Sequence, residues 1–428
     1  MPGTRIAILG GGFAGATLAA ALQRRVPDDC RITIVSKENH ITYNPLLAEV
    51  VGASILPGHV VAPLRQIARH AEVCMVPVTD IDLEERRLHY LGEGPGTIDY
   101  NHLVLACGVN ANLQLVPGMA RYALPMKTLG DALFIRNRIL LRLEQASLQT
   151  NPRLRRWLTT FVVLGGGFSG VEVAGEIADF LRASLKYYPA LKLEDCLVRL
   201  LHAGDRILPE LSPSLSQFAL KKMTRRGLDI RLHARAARID AHSVQLQDGE
   251  RVPGGTIIGT IGTTPNPLIE SLPLLKDRGR VRTNPDLSVP GHPGLWALGD
   301  CAHVMNAWND EPAPPTAQFA TREATHLARN IAASLRGKET RPFDFKPLGA
   351  LSTIGHHKAV AEVFGLRLSG FVAWLLWRGV YLLKVPTLAR KVRVFFEWNW
   401  GMLFPADIAH LGFTRTRRTT TRQAPDSR

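Results

Sequence analysis

The chain has 428 residues, 46% hydrophobic and 21% charged, which is enough for two or three domains with proper cores. Its formal net charge is +15, and the segment from Trp374 to Arg428 holds ten Lys or Arg residues against three Asp or Glu. This excess favours an anionic partner surface, either phospholipid or nucleic acid. The alternative is a solvated basic face with a disordered tail.

The five cysteines form no C-x-x-C pair. This argues against a disulfide framework, a zinc ribbon and a redox-active dithiol, and it fits a reducing cytoplasm. The first strand begins by about Arg5, so we expect no signal peptide.

The first predicted unit is a strand at residues 5–9, a glycine-rich loop and an Ala-rich helix that runs to about residue 25. The loop has the pattern G-x-G-x-x-G, with its glycines at Gly10, Gly12 and Gly15. In a dinucleotide-binding unit these glycines bring the backbone close to a pyrophosphate, and the helix N-terminus faces the phosphates. A single such loop is weak evidence, because glycine-rich turns are common.

The second predicted strand, at residues 31–35, leads into Ser36, Lys37 and Glu38. In a dinucleotide-binding unit an acid at this strand end binds ribose hydroxyls. The residue directly at the strand end is Ser36, so Glu38 is the nearest candidate. It is equally well interpreted as a solvated loop acid.

A helical stretch near residues 63–70 and strands at 73–78 and 87–90 are predicted next. A buried strand at residues 101–105 then leads into Ala106, Cys107 and Gly108. A turn of small residues at a strand's carboxyl end is where a parallel sheet admits a ligand, although an ordinary turn has the same composition.

After a predicted helix at residues 131–149, the sequence FVVLGGGFSG nearly repeats the earlier IAILGGGFAG. The second set of glycines is Gly165, Gly167 and Gly170, so the two loops begin 155 residues apart. Two copies in the same strand–loop–helix context are strong evidence. The chain is therefore predicted to bind two dinucleotides.

The second unit continues with a strand at residues 198–201 that ends at His202. Strands near 230–232, 243–246 and 256–261 follow, and the unit closes at Gly262. A later apolar strand delivers Asp300 at its end, where a carboxylate can accept a hydrogen bond from a ribityl or ribose hydroxyl. Thr316 is the predicted N-cap of the next helix.

Residues 347–411 are aromatic, basic and amphipathic. The apolar run at 371–377 is interrupted by Arg378 and Gly379, and it is too short to span a bilayer, which needs about 20 apolar residues. Four tryptophans lie among basic residues here, as is typical of a helix in the membrane interface: Trp374, Trp377, Trp398 and Trp400. The alternatives are a dimer interface or a small additional core.

Taken in this order, the motifs resemble those of the two-dinucleotide-binding-domain flavoproteins, and most of all the type II NADH:quinone oxidoreductases. Further matching segments are YNPLLAEV at residues 43–50, LPMKTL at 124–129, AQFA at 317–320, and TIG at 353–355 with AVA at 359–361. The resemblance implies an α/β fold with two Rossmann-like, glutathione-reductase-like domains. It places an FAD-binding domain at 1–115 and 276–345, an NAD(P)H-binding domain at 116–275, an amphipathic membrane-anchoring region at 346–412 and a disordered basic tail at 413–428.

The resemblance implies tightly but non-covalently bound FAD in the first domain and NADH or NADPH as substrate in the second. Family members pass a hydride to the flavin, which then reduces a quinone, without a metal or a catalytic thiol. The residues implied to bind FAD are Gly10, Gly12, Gly15, Lys37, Glu38, Ala106, Cys107, Gly108 and Asp300. Those implied to bind the nicotinamide nucleotide are Gly165, Gly167, Gly170, His202 and Gly262.

Two catalytic residues follow from the resemblance. Glu172 matches a family glutamate held near the flavin and nicotinamide, and its position early in a helix favours the charged form while burial opposes it. The alternative is an acid that only stabilises its own helix. Gln318 matches the first glutamine of the quinone-site pattern A-Q-x-A-x-Q, but Arg322 stands at the second. Its guanidinium could bond a quinone carbonyl or equally pair with an acid.

His202 is a further departure, because NADH-preferring members have a glutamate at this position. A carboxylate repels the 2′-phosphate of NADPH, and histidine removes that repulsion. Arg206 lies near enough in sequence to assist. We therefore expect relaxed or NADPH-leaning specificity.

The expected partners are menaquinone or ubiquinone and an anionic membrane surface, with peripheral attachment at the cytoplasmic face of the inner membrane. A homodimer is left open. Three other functions are considered: a sulfide:quinone oxidoreductase using Cys107 and Cys301, a soluble ferredoxin or rubredoxin reductase, and a non-enzymatic NAD(P)H-sensing flavoprotein. The tail arginines alternate with threonines and not with aromatic residues, so no nucleic-acid partner is expected.

Overall fold

The computed structural model describes residues 3–355 and 357–412, so the predicted tail at 413–428 lies outside the described residues. Its framework is a pair of five-stranded parallel sheets. The strands of the first sheet lie side by side in the order Leu295–Ala297, His102–Leu105, Arg5–Leu9, Arg31–Ser36 and Glu72–Met75. Parallel strands read as continuous apolar runs because both sheet faces are covered, and residues 6–9 are all buried.

The second sheet has the same plan. Its strands follow the order Ala123–Pro125, Thr256–Gly259, Thr160–Leu164, Leu197–Leu201 and Asp229–Arg231, again all parallel. In each sheet the strand that precedes a glycine loop is the central one. Both loops therefore open at the edge where the carboxyl ends of parallel strands meet, which is where such sheets bind ligands.

The predicted α/β class is confirmed. The last strand of the first sheet comes late in the sequence, after the whole second sheet. Leu295–Ala297 pairs with His102–Leu105 although the whole second sheet lies between them in sequence. A two-stranded antiparallel ribbon, Val109–Ala111 with Thr263–Pro265, joins the two halves at their connections. The exact domain boundaries given above stay predictions.

Smaller antiparallel units complete the sheets. Three of them have three strands: Val78–Asp82, Arg87–Leu91 and Pro95–Asp99; Ala236–Ile239, Ser243–Leu246 and Arg251–Pro253; Gly349–Thr353, Ala359–Val363 and Leu366–Gly370. The remaining short strands are His40–Thr42, Val61–Pro63, Lys276–Asp277, Arg280–Arg282, Ala302–His303, Met305–Asn306 and Glu311–Pro312.

The helices are Phe13–Leu22, Leu47–Val51, Leu64–Ile67, Met119–Tyr122, Leu129–Ser147, Pro152–Leu158, Phe168–Ser184, Pro213–Arg225, Pro267–Ser271, Ala317–Ser334, Phe371–Lys384 and Leu388–Leu403. Thr316 caps its helix as predicted, since its side chain accepts a hydrogen bond from the Phe319 N–H. The helical stretch expected at 63–70 shrinks to Leu64–Ile67, because Pro63 still belongs to a strand and Ala68 leaves helical geometry.

The sheet formed by residues 349–370 was not predicted. The helix Phe371–Lys384 runs through Arg378 and Gly379, which interrupt only the apolar run. Arg378 fits because its guanidinium packs over the Trp374 and Trp398 rings, 3.9 and 5.0 Å from their centroids.

Most of the C-terminal tryptophans are core residues. Trp374, Trp377 and Trp398 are buried and Trp400 is exposed, so the prediction that all four lie at a membrane interface was wrong for three of them. Trp377 packs against Trp398 with 5.8 Å between ring centroids, and this contact holds the two helices together. Phe371–Lys384 and Leu388–Leu403 are called the C-terminal helices below.

The outer face of the C-terminal helices is apolar and basic. Its exposed side chains include Phe371, Val372, Leu375, Leu383, Leu388, Val392, Phe395, Phe396, Trp400 and Leu403. Across residues 3–355 and 357–412, no helix combines the length and apolarity needed to cross a bilayer.

Candidate functional site

The first glycine loop packs its helix tightly against the preceding strand. A Cβ on Gly15 would lie 1.9 Å from the Gly10 carbonyl oxygen, so only glycine fits there. A Cβ on Gly12 would meet no atom within 4 Å, so the space beside the loop is open. The helix starts without a side-chain cap and without an acid in its first turn. Its N-terminal N–H groups are therefore available to an anion such as a pyrophosphate.

The second glycine loop repeats this geometry. A Cβ on Gly170 would lie 1.8 Å from the Gly165 carbonyl oxygen. The helix Phe168–Ser184 follows Gly167 at its N-cap position, again without a side-chain cap or an acid in the first turn. Two loops of this shape, each at the carboxyl edge of a parallel sheet, fit two nucleotides with diphosphate groups.

Three predicted FAD-contacting groups meet at the edge of the first sheet. His102–Leu105 and Leu295–Ala297 are adjacent parallel strands, so Ala106 and Asp300, which follow them, lie at the same edge. The Ala106 carbonyl oxygen approaches the first loop and would be 2.3 Å from a Cβ on Gly10. Gly108 has a φ of +63°, in the left-handed region that glycine adopts easily. Burial raises the pKa of Asp300, against the cations Lys127 and Arg280.

Cys107 and Cys301 are neighbours beside this edge. The hydrogen bond that Cys107 donates to Cys301, together with burial, holds the pKa of Cys107 well above its usual range, and the same bond lowers the pKa of Cys301. The Cys301 thiol is buried and donates to the carbonyls of Leu105 and Leu298, each at 3.4 Å. A thiol with a raised pKa is a poor nucleophile, so Cys107 does not have the environment of a reactive cysteine.

Lys37 and Glu38 follow the second strand into an exposed loop. The Glu38 N–H donates to Ser36 Oγ at 3.4 Å, and Ser36 Oγ lies against Gly11 of the first loop. The Glu38 carboxylate is exposed, with His40 4.0 Å away. The serine thus contacts the glycine loop, and the acid projects beyond it.

His202 lies directly against the second glycine loop. Its Nδ1 accepts a hydrogen bond from the Gly166 N–H at 3.1 Å, and burial lowers its pKa. The ring is therefore neutral at pH 7, and it presents no negative charge beside the loop. Arg206, on the same connection, donates to the Pro209 carbonyl at 3.2 Å.

Gly262 belongs to the connection between the halves and not to a glycine loop. It has a φ of +77°, and its carbonyl accepts from the Asn112 N–H at 3.1 Å. A Cβ there would lie 2.7 Å from Leu115 Cδ2. Glycine at position 262 thus allows the left-handed backbone conformation and the close contact with Leu115 beside the ribbon.

Glu172 is buried on the helix that follows the second loop. Burial raises its pKa to about 8, although the Thr353 N–H donates to its Oε1 at 3.3 Å and favours the charged form. The carboxyl is therefore mostly protonated at neutral pH, so burial outweighs the helix dipole. Glu176, one turn on, is also buried and accepts from Ser54 Oγ at 3.0 Å.

Gln318 and Arg322 lie on one face of the helix Ala317–Ser334. The Gln318 amide bonds to the start of the C-terminal sheet, donating to the Gly349 carbonyl at 3.3 Å and accepting from the Leu348 N–H at 3.1 Å. The Arg322 guanidinium packs over the Phe345 ring at 5.2 Å. The side chain expected to pair with a quinone or an acid thus contacts an aromatic ring.

Two buried acids were missed from the sequence. Glu323 accepts from the Gly299 N–H at 2.7 Å, and burial raises its pKa to about 7. Glu49 accepts from the Trp398 indole N–H at 2.7 Å. Glu323 interrupts the apolar stripe of its helix, and Glu49 interrupts the apolar run at residues 46–51. These interruptions are the signals that could have found them.

Comparison with known proteins agrees with this geometry. Residues 4–324 match the model of the pyridine nucleotide-disulphide oxidoreductases, and residues 348–406 match the NDH2 C-terminal domain. The type II NADH:quinone oxidoreductase Ndh of Mycobacterium tuberculosis is 31% identical over 413 residues, covering 92% of this chain and 87% of the relative. The chain belongs to the type II NADH:quinone oxidoreductase family.

Two other relatives extend the comparison within this family. Demethylphylloquinone reductase NdbB of Synechocystis is 31% identical over 408 residues, covering 92% of this chain and 95% of the relative. The structure of NDH2 from Plasmodium falciparum in complex with NADH has a TM-score of 0.87 at 20% identity, covering 95% of this chain and 99% of that one. The structural likeness establishes the fold.

The raised pKa of Glu172 predicts how stability depends on pH. A carboxyl protonated in the folded state but ionised when unfolded contributes stability below its ordinary pKa of 4.5, and that stability is lost as pH rises toward 8. Within this window the loss is about 1.4 kcal/mol per pH unit. Glu172→Gln keeps the acceptor for Thr353 and never ionises. Its Tm should exceed that of wild type by more at about pH 8 than at about pH 5.

Thermal unfolding of the FAD-loaded protein measures this difference, and Glu362→Gln is the control. The Ser212 N–H lowers the pKa of Glu362, so the stability it contributes is lost only as pH falls below 4.5. The Tm difference between that variant and wild type should be the same at both pH values. An equally constant difference for Glu172→Gln would contradict the raised pKa.

Proposed function

We propose that the chain is an FAD-dependent NAD(P)H:quinone oxidoreductase that does not pump protons. The observation that carries this proposal is the pair of uncapped glycine loops at equivalent edges of two parallel sheets, in a chain of this family. FAD, when bound, accepts the hydride of NAD(P)H and passes the electrons to the quinone. The FAD domain would comprise residues 1–115 and 276–345, the NAD(P)H domain 116–275 and the membrane-attaching region 346–412.

In this proposal the loop backbones bind the diphosphates. Gly10, Gly12 and Gly15 serve FAD, and Gly165, Gly167 and Gly170 serve the nicotinamide nucleotide. Asp300, Ala106, Cys107 and Gly108 would contact the flavin side of FAD, while Lys37 and Glu38 would lie on its ribose side. Their common position at the carboxyl edge of the first sheet supports this assignment.

Glu172 and Gln318 have different proposed roles. Glu172 keeps a proton at neutral pH, so it can donate one during quinone reduction. Gln318 joins its helix to Leu348 and Gly349, so we assign it to positioning the C-terminal sheet at the quinone site. The packing of Arg322 over Phe345 keeps a cation on the same helix face, where it can bind a quinone carbonyl.

The apolar and basic outer face of the C-terminal helices would attach the protein peripherally to an anionic membrane. Exposed aromatic and aliphatic side chains enter the headgroup boundary, and Lys384, Arg390, Lys391 and Arg393 contact phosphates. A quinone dissolved in the bilayer could then reach the site without leaving the bilayer. The cytoplasmic face of the inner membrane is the proposed location, and a homodimer in the membrane is compatible with it.

The first test is anaerobic and uses the purified yellow protein. NADH or NADPH should bleach the flavin absorbance. A menaquinone or ubiquinone analogue should restore it at a rate at least equal to the steady-state turnover rate. Sulfide in place of NAD(P)H is the control and should leave the flavin oxidised. If no quinone reoxidises the flavin, the proposed function is wrong. If sulfide bleaches the flavin, the result supports the alternative function, a sulfide:quinone oxidoreductase.

Matched alanine substitutions test the two loops separately. Gly15→Ala should abolish FAD binding, and Gly170→Ala should keep FAD but lose NAD(P)H binding, because each methyl collides with a carbonyl of its own loop. Flavin absorbance and NADH fluorescence titration report the two losses. Gly379→Ala is the control, since its methyl meets no atom within 4 Å. Loss of FAD from both loop variants alike would contradict the assignment.

The third test concerns nucleotide specificity at His202. With a neutral imidazole beside the second loop, kcat/KM for NADH and NADPH should differ by less than about 100-fold, or about 2.7 kcal/mol. His202→Glu should shift the ratio toward NADH, because a carboxylate repels the 2′-phosphate. His242→Glu adds the same charge beside Trp157 and should leave the ratio unchanged. A wild-type preference for NADH above that threshold would refute the prediction.

A further inference from the structure

A cluster of buried acids lies between the C-terminal helices and the rest of the chain. Glu49 belongs to the helix Leu47–Val51, and Glu172 and Glu176 belong to the helix Phe168–Ser184. All three are buried, and the charge of Glu49 raises the pKa of each of the other two. The proposed reaction gives a role to Glu172 but leaves Glu49 and Glu176 without one.

Glu49 is held where it can exchange a proton near neutral pH. Burial raises its pKa to about 7, while the hydrogen bond from Trp398 and the charge of Arg378 favour the ionised form. The charge of Glu397 opposes ionisation of Glu49. The two opposing influences leave both protonation states accessible, which a proton carrier requires.

Glu176 lies one helical turn from Glu172 and is joined to the segment of Glu49 through Ser54. Ser54 donates from its backbone N–H to the Glu49 carbonyl at 2.8 Å and from its hydroxyl to Glu176 Oε2 at 3.0 Å. A Cβ on Gly52 would lie 2.2 Å from Glu176 Oε2, so glycine leaves room for this carboxyl. Burial raises the pKa of Glu176 well above its usual range, and the charges of Glu49, Asp179 and Glu172 add to this.

The cluster reaches solvent through Glu397 and His59. Glu397 accepts from the Leu56 N–H at 2.6 Å and pairs with the His59 ring. The side chains of His59 and Glu397 are 21% and 16% exposed, whereas Glu49 is 6% exposed. Exposure therefore falls from His59 through Glu397 to the buried acids, of which Glu176 and Glu172 are 8% and 9% exposed.

We propose that a proton relay runs from solvent to Glu172 through four side chains: His59, Glu397, Glu49 and Glu176. The relay rests on the proposed quinone reductase activity and adds a route to it. It also places one of the route's members, Glu397, on the C-terminal helices, so that the attachment region takes part in the chemistry.

The stoichiometry of the reaction requires such a supply. Reduction of a quinone to a quinol takes two electrons and two protons. The hydride of NAD(P)H supplies both electrons and one proton, and water supplies the other. In the relay Glu172 gives its O–H proton to a quinone oxygen and regains one from Glu176. Each earlier member of the relay then takes a proton from the member before it, and one proton enters from solvent at His59.

The same contacts also hold the C-terminal helices in place, so the experiment must separate conduction from support. Glu49→Gln keeps the volume and the acceptor for the Trp398 indole but cannot pass a proton. Turnover with a soluble quinone should fall about 100-fold, the lower end of what a positioned proton-transfer group contributes. Turnover with ferricyanide, which takes electrons without protons, should stay at the wild-type rate.

Glu144→Gln is the matched control, because Glu144, like Glu49, accepts a hydrogen bond from an aromatic side chain, in its case from the Tyr188 hydroxyl at 2.7 Å. Both acceptors should react with this variant as with wild type. Formate, a small weak acid, should restore part of the quinone turnover of Glu49→Gln. Independently of turnover, the infrared spectrum of wild type should show protonated carboxyl absorbance that titrates near pH 7, and Glu49→Gln should lose one carboxyl of it, because Glu323 titrates in the same range.

The outcomes separate the hypotheses. Equal losses with quinone and ferricyanide would make the cluster a structural support, and unchanged quinone turnover would place the proton route elsewhere. If Glu49→Gln does not fold, Glu397→Gln, which keeps the acceptor for Leu56, takes its place. If wild type itself reduces no quinone, the proposed function fails. The infrared titration then decides on its own whether Glu49 holds an exchangeable proton.

Discussion

The contact between the third and first glycines of each loop sets the geometry on which both nucleotide sites depend. At Gly15 and at Gly170 a hydrogen atom replaces a methyl that would stand less than 2 Å from a carbonyl oxygen. Only without that methyl can the helix lie against the central strand with its N-terminus at the sheet edge. The same small-residue contact, made twice, gives the chain two anion-binding helix ends in equivalent positions.

Sequence reasoning recovered the features that repeat or that depend on local pattern. The two glycine loops, the parallel strands around them, the Thr316 cap and the late strand leading to Asp300 were all predicted. What it could not reach was pairing at long range. Nothing local places Glu49 beside Trp398 or turns Gln318 toward Leu348, because these contacts arise when segments hundreds or tens of residues apart pack together.

The C-terminal tryptophans show how composition misleads when orientation is unknown. An aromatic, basic segment predicts a membrane interface, but each helix has two sides, and Trp374, Trp377 and Trp398 point to the protein. Their burial makes room for Arg378 between indole rings, which brings a cation near Glu49. The C-terminal helices and the acid cluster are thus parts of one packed unit.

The late return of Leu295–Ala297 to the first sheet affects how the protein is made. His102–Leu105 leaves the ribosome with one edge unpaired, and its neighbour follows about 190 residues later. At synthesis rates of about 5–20 residues per second, the strand waits roughly 10–40 s for its partner. During that time the second sheet can form completely from contiguous sequence, while the first stays an open edge that a chaperone or another nascent chain can occupy. The half of the molecule that begins first is finished last.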